Sequence, residues 1–154
     1  MHRNCERVEE ILVAAGLPGR VRMLPAAATT ARAAAEQVGC AVGAIANSLV
    51  FATADGRPLL IMTSGAHRVD LALVGGKLGL SLHRASPEFV LEHTGQPIGG
   101  VAPVGHPRPI ETVVDRDLAG YDQLWAAGGI PHAVFPLRYP ELLALTGGRE
   151  LTVA

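Results

Sequence analysis

From Glu6 to Ala15 the apolar residues Val8, Ile11, Leu12 and Ala15 recur at the spacing of one helix face, and Gly16 with Pro18 supplies the stop. An amphipathic N-terminal helix is predicted. Thr29-Thr30 stand before Ala31-Arg-Ala-Ala-Ala-Glu-Gln-Val38, a run of strong helix formers closed by Gly39, with a threonine placed to cap the free amides. At Ile45 the pattern changes. Ile45 to Thr53 is mostly apolar, Asp55-Gly56-Arg57-Pro58 reads as a turn, and Leu59-Leu-Ile-Met-Thr63 resumes the apolar run, so a hairpin of buried strands is predicted.

Helical periodicity returns from His67 to Leu78 through Val69, Leu71, Leu73, Val74 and Leu78, weakened at its end by Gly75-Gly76. Ser86-Pro87-Glu88 is a helix start: serine caps, proline suits the first helical position and glutamate suits the positive end of the dipole. That helix is expected to pass Leu91 and stop at Gly95. Gln96 to Pro109 is too rich in proline and glycine for helix or central strand and must be a shaped loop. Beyond it the pattern predicts a strand over Ile110 to Asp115 and a short helical or irregular segment over Leu118 to Trp125. A strand over His132 to Leu137, a helix over Tyr139 to Leu145 and an edge strand over Glu150 to Val153 complete the chain. Interleaved strands and helices, short connections and no repeat predict one α+β or mixed α/β domain over residues 1–154.

Charge and composition narrow the function classes. Thirteen Lys and Arg stand against fourteen Asp and Glu, which argues against a protein that wraps long stretches of phosphate backbone and excludes DNA from the expected partners. A local basic rim would still suffice to grip one nucleic-acid end. Arg20, Arg22, Arg57, Arg68, Lys77 and Arg84 are scattered, as solvated surface is. No apolar run approaches the ~20 residues of a membrane span, and the N-terminus lacks a secretory pattern, so a cytoplasmic location without membrane contact is expected. Cys5 and Cys40 match no disulfide framework or zinc spacing, and the six histidines form no metal motif, so neither metal nor cofactor is expected. Asp115 and Asp117, two apart at a strand end, read as surface or capping groups, as does Asp70.

Three stretches carry chemistry together: Ala44-Ile-Ala-Asn-Ser-Leu-Val-Phe51, then Gly99-Gly-Val-Ala-Pro103 with Val104-Gly-His-Pro107, then Ala127-Gly-Gly-Ile-Pro-His132. In this order and at these separations they resemble the YbaK/ProX family of aminoacyl-tRNA deacylases, relatives of the editing domain of bacterial prolyl-tRNA synthetases. The resemblance runs from the helix at Thr30 to the C-terminal strand. It implies a mixed, barrel-like β-sheet flanked by helices and a pocket for the aminoacylated terminal adenosine of tRNA. The implied activity is trans-editing: hydrolysis of the ester on a mischarged, prolyl-type tRNA. The implied partners are that tRNA's acceptor end and prolyl-tRNA synthetase.

Some residue roles can also be read physically. Glycine lets loop amides approach a ligand and proline fixes the loop's end, so Gly99 and Gly100 are expected to stabilise an oxyanion, with Val101, Ala102 and Pro103 shaping the substrate site. Asn47 stands where most of the family has a lysine that is regarded as central to activity. It exchanges an ammonium for an uncharged carboxamide that can still hold a carbonyl or an α-amino group. Ser48 lacks the surroundings of a nucleophile and is expected to bind rather than attack. His132, matching a family position after the Gly-Gly-Ile-Pro turn, is expected to orient substrate or handle a proton at the pocket mouth. The missing lysine leaves a weak binding module for aminoacyl-adenosine as an alternative, and a hydrolase for some other small ester or amide as another.

Overall fold

A computed structural model describes residues 1–154. Its helices are α1 (Arg3–Ala14), α2 (Ala31–Val38), α3 (Leu71–Leu78), α4 (Pro87–Thr94) and α5 (Tyr139–Thr146). Its strands are β1 (Arg22–Met23), β2 (Ile45–Thr53), β3 (Pro58–Ser64), β4 (Leu82–Arg84), β5 (Glu111–Asp115), β6 (Leu124–Ala127), β7 (Ala133–Leu137) and β8 (Arg149–Leu151). The fold is mixed α/β. No helix is long and apolar enough to cross a membrane.

The caps act as their residue types dictate. Thr30, Asp70 and Ser86 each accept a main-chain N–H from the first turn of α2, α3 and α4, and left-handed Gly39, Gly79, Gly95 and Gly147 close four helices. Helix α3 therefore begins at Leu71, after its cap, and His67 lies outside the helix in which periodicity placed it.

All eight strands join one sheet in the order β1-β7-β6-β2-β3-β5-β8, with β4 paired to β2 off that path. The sheet is open rather than closed into a barrel. Its ends, β1 and β8, are two and three residues long and do not pair with each other, which also leaves little exposed edge. The segment expected to be helical or irregular after Leu118 divides: a 3-10 turn covers Arg116–Gly120 and then β6 runs parallel to β2. The burial of both faces that makes Leu-Trp-Ala-Ala a strand comes from distant neighbours.

Successive side chains of a strand face opposite sides of the sheet. On one side Ala46 and Val50 of β2 join Leu60, Met62, Val114, Leu124 and Phe135 in the main core, which also holds Cys5, Val8 and Leu12 of α1. The other side is split. Ile45, Trp125 and Val134 pack with Ala34 and Ala35 of α2, whereas Leu59, Ile61 and Val113 pack with Val74 of α3. Asn47 and Leu49 fall in the interval between those two patches.

Candidate functional site

That interval is also a gap in the sheet. Strand β2 pairs along its length with β3 on one edge, but on the other edge it meets β6 only at Ile45 and Ala46 and β4 only from Phe51 to Thr53. Gly65 donates to the Ile45 carbonyl and Thr53 donates to the Arg57 carbonyl, so the odd-numbered residues turn their main-chain groups toward β3. Ser48 therefore turns its N–H and C=O to the opposite edge, where neither β4 nor β6 reaches it. Unpaired main-chain groups inside a sheet require water or a ligand.

A two-lobed cavity fills the gap. The larger lobe, of about 320 Å³, runs along Asn47 to Phe51 and is bounded by Arg84, Val90 and Ile98, near the lower end of the roughly 300–1,000 Å³ usual for small-ligand sites. A narrow lobe of about 30 Å³ continues between Ile45, Ala46 and Trp125 and the first turn of α2. Thr29, Asn47, Ser48, Gly99 and Val101 line both lobes. The Asn47 carboxamide makes no hydrogen bond within the protein, so it is not there to satisfy neighbouring main chain. Its cross-strand partner is Thr63. The Ser48 hydroxyl rests on the Met62 sulfur at 3.2 Å. Thr29, which the sequence offers only as half of a capping pair, borders the cavity: Thr30 takes the cap and the Thr29 hydroxyl is left without a protein partner.

The glycine loop faces Ser48 across the gap, and only part of it is free. The Gly100 N–H is donated to the Pro97 carbonyl at 2.9 Å, and the Ala102 N–H to the Gln96 side-chain carbonyl at 2.6 Å. Gly99 and Val101 keep unpaired amides, and they are also the loop residues that line the cavity. Gly100, Ala102 and Pro103, expected at the substrate with them, are buried and line neither lobe. Gly99 holds φ +87°, a conformation suited to glycine. Gly100 is a glycine for a different reason, since a Cβ there would lie 2.6 Å from the Ile130 Cα and the Pro131 nitrogen.

Two side chains brace the loop: Gln96, which the sequence did not single out, and His106 of the second motif. Gln96, 2% exposed, spans it, accepting from Ala102 and donating to the Val104 carbonyl at 3.1 Å. His106 lies 2.8 Å from the Ala102 carbonyl through Nε2; a carbonyl only accepts, so Nε2 carries the proton. Burial of the ring lowers the His106 pKa below the ordinary histidine value, the Arg7 charge lowers it further, and the bond to Ala102 offsets part of this. A depressed folded value makes the contribution of His106 to stability complete above the unfolded value of about 6.5, and lost as pH falls from there through the folded value. Melting temperature measured from pH 7.5 to 5 is expected to fall more steeply for the wild type than for His106→Gln, which keeps a donor but does not titrate. Parallel curves would show that the titration of the ring is not coupled to folding.

The third motif forms a turn behind the loop. Ala28 and Leu24 donate their N–H groups to the carbonyls of Pro131 and His132, at 2.8 and 2.6 Å, and Asn4 donates its side chain to the Gly129 carbonyl at 3.0 Å. The turn thus fixes both the segment leading to Thr29 and the back of Gly100. His132 serves here through its carbonyl. Its side chain is exposed and lines neither lobe, so the structure does not bring the ring to the pocket mouth.

One cluster of potential metal ligands arises where spacing suggested none: His67, Asp115 and Asp117. Asp115 is buried, not a surface group. It accepts from the Ser64 N–H at 2.9 Å, from the Thr63 hydroxyl at 3.3 Å and, in its capping role, from the Asp117 N–H at 3.0 Å. The two carboxylates take opposite ring nitrogens of His67, Nδ1 to Asp115 at 2.8 Å and Nε2 to Asp117 at 3.2 Å. The ring is thus held between the two carboxylates.

Comparison with known proteins places the chain in a family. The family described as the aminoacyl-tRNA editing domain matches residues 25–145, a span that holds every lining residue of both lobes. The Bacillus subtilis protein YwhH, itself uncharacterized, is 32% identical over 113 residues, covering 73% of this chain and 72% of its own. A crystal structure described as a candidate trans-editing enzyme for prolyl tRNA synthetase is 43% identical, covers 99% of this chain and 98% of its own, and superposes with a TM-score of 0.92. A hypothetical protein of known structure is 29% identical over 96% of this chain and 98% of its own, with a TM-score of 0.88.

Proposed function

The chain belongs to the aminoacyl-tRNA editing domain family, and from that premise we propose that it hydrolyses, in trans, the ester joining a non-cognate amino acid to the terminal adenosine of tRNA. The observation that carries this is the convergence at one cavity of three sets of unpaired groups: the Ser48 main chain, the Gly99 and Val101 amides and the Asn47 carboxamide. An aminoacyl ester offers the complementary set. Its carbonyl oxygen, becoming an oxyanion as water attacks, accepts from the Gly99 and Val101 N–H groups; its α-amino group donates to the Ser48 main-chain carbonyl and the Asn47 side-chain oxygen. The narrow apolar lobe by Ile45, Ala46 and Trp125 takes the amino-acid side chain, and the larger lobe takes the adenosine.

The ester is already activated, so positioning and electrostatics carry the rate. A prolyl-type tRNA is the substrate we favour, because a 43% identical structure is described as a candidate trans-editing enzyme for prolyl tRNA synthetase. Deacylation of a panel of mischarged tRNAs tests the reading. Turnover of at least one member is expected; binding of every member without turnover would favour the binding module instead.

Asn47→Ala is expected to slow hydrolysis roughly tenfold to a hundredfold, the loss of one or two positioning hydrogen bonds worth about 1–3 kcal/mol. The melting temperature should hardly change, because the carboxamide bonds nothing in the free protein. An unaltered rate would remove Asn47 from the site.

A further inference from the structure

Among the residues that line the two lobes, one is charged: Arg84. It closes β4 opposite Phe51, at the end of the gap away from Asn47. Its guanidinium makes no ion pair and no hydrogen bond in the protein, whereas Arg57 is paired with Asp55 at 2.9 Å and Arg7 reaches the His106 carbonyl. The scatter of basic residues along the sequence gives no reason to separate Arg84 from solvated surface. The split of the sheet does, by standing β4 at one end of the cavity and the ester-binding groups at the other.

We infer that Arg84 is the phosphate-binding residue of the site and that the larger lobe takes a nucleoside 5′-phosphate rather than a bare nucleoside. This rests on the reading of the cavity as an aminoacyl-adenosine site. From Asn47 to Phe51 the strand advances four residues at about 3.3 Å each, or about 13 Å. Along that length an aminoacyl ester, its ribose and the 5′-phosphate follow one another. With the ester at Gly99 and Val101, the base lies between Val90, Ile98 and Phe51, and the phosphate arrives beside Arg84. A guanidinium suits this place because its fork of donors matches phosphate oxygens and is desolvated more cheaply than an ammonium. Arg84 is a positioning residue, since it lies at the far end of the cavity from the reacting carbonyl.

The test is a binding comparison that does not need turnover. 3′-Aminoacylamino-3′-deoxyadenosine, whose amide replaces the ester, is titrated calorimetrically with and without a 5′-phosphate, against wild type, Arg84→Ala and Arg84→Lys. Wild type is expected to bind the phosphorylated form roughly tenfold to a hundredfold more tightly, as for a hydrogen-bonded charge pair. Arg84→Ala should bind both forms alike, and Arg84→Lys should recover part of the preference. A phosphate preference that survives in Arg84→Ala overturns the inference. So does a wild type that binds both forms equally, which leaves the aminoacyl-adenosine reading standing. If wild type binds neither form, that reading falls and the inference with it.

Discussion

Gly100→Ala lowers the deacylation rate by about a hundredfold or more while leaving a folded protein. The added Cβ would stand 2.5 to 2.6 Å from the carbonyl carbon and Cα of Ile130 and the nitrogen of Pro131, well inside the 3.5–4.0 Å at which carbon atoms rest. These neighbours are main-chain atoms, so no rotamer change relieves the contact. Either the loop or the turn must retreat by about 1 Å, and a displacement of that size at a reacting centre costs about a hundredfold. The turn is anchored from behind by Ala28, Leu24 and Asn4 and the loop by Gln96 and His106; the expected outcome is that the loop, which borders the open cavity, gives way. Its retreat carries the Gly99 and Val101 amides away from the ester. Gly76→Ala is the control: a Cβ there meets nothing within 4 Å in a helical residue of α3, so it should be neutral or slightly stabilising. Full activity in a folded Gly100→Ala protein would sink the loop assignment.

A tRNA whose terminal adenosine lacks the free vicinal hydroxyl is nearly inert, slower by the roughly 10²–10⁴-fold that proton transfer contributes. The residues lining the two lobes include no carboxylate, histidine, lysine or cysteine. His132 is exposed elsewhere, and Asp115 is already committed to Ser64, Thr63 and His67. On the proposed reading the substrate's own vicinal hydroxyl relays the proton, accepting it from the attacking water while donating its own to the leaving ester oxygen. Accordingly, His132→Ala should keep its rate within about twofold, while any loss comes from stability. Normal hydrolysis of the deoxy substrate, together with a dead His132→Ala, would make His132 the base and overturn this scheme.

What the sequence could and could not reveal follows from the range of the interactions involved. Caps at Thr30 and Ser86 and the hairpin of β2 and β3 are dictated within a few residues, and each is found as expected. Strands β1, β4 and β6 owe their existence to distant partners: Arg22 pairs with Val134, and Leu82 to Arg84 pair with Thr53 to Phe51. The gap between β4 and β6, which makes the site, was therefore invisible, and so were Thr29 and Arg84 as its walls. Asn47 and Gly99 could be picked out from the sequence, and both line the cavity. Which loop amides are free could not, because that depends on Gln96 and Pro97 taking two of them. His132 shows the converse: a residue singled out for its ring has a use for its carbonyl, which no residue type announces.

The most direct measurement is the rate at which the purified protein releases amino acid from a panel of tRNAs mischarged with small apolar residues, prolyl-type tRNA first, compared with Gly100→Ala under the same conditions. A tRNA ester hydrolysed by the wild type and spared by the variant is the predicted result. If no charged tRNA in the panel is hydrolysed above the uncatalysed rate, or if the variant works as fast as the wild type, the cavity at Ser48 and the glycine loop is not a deacylase site.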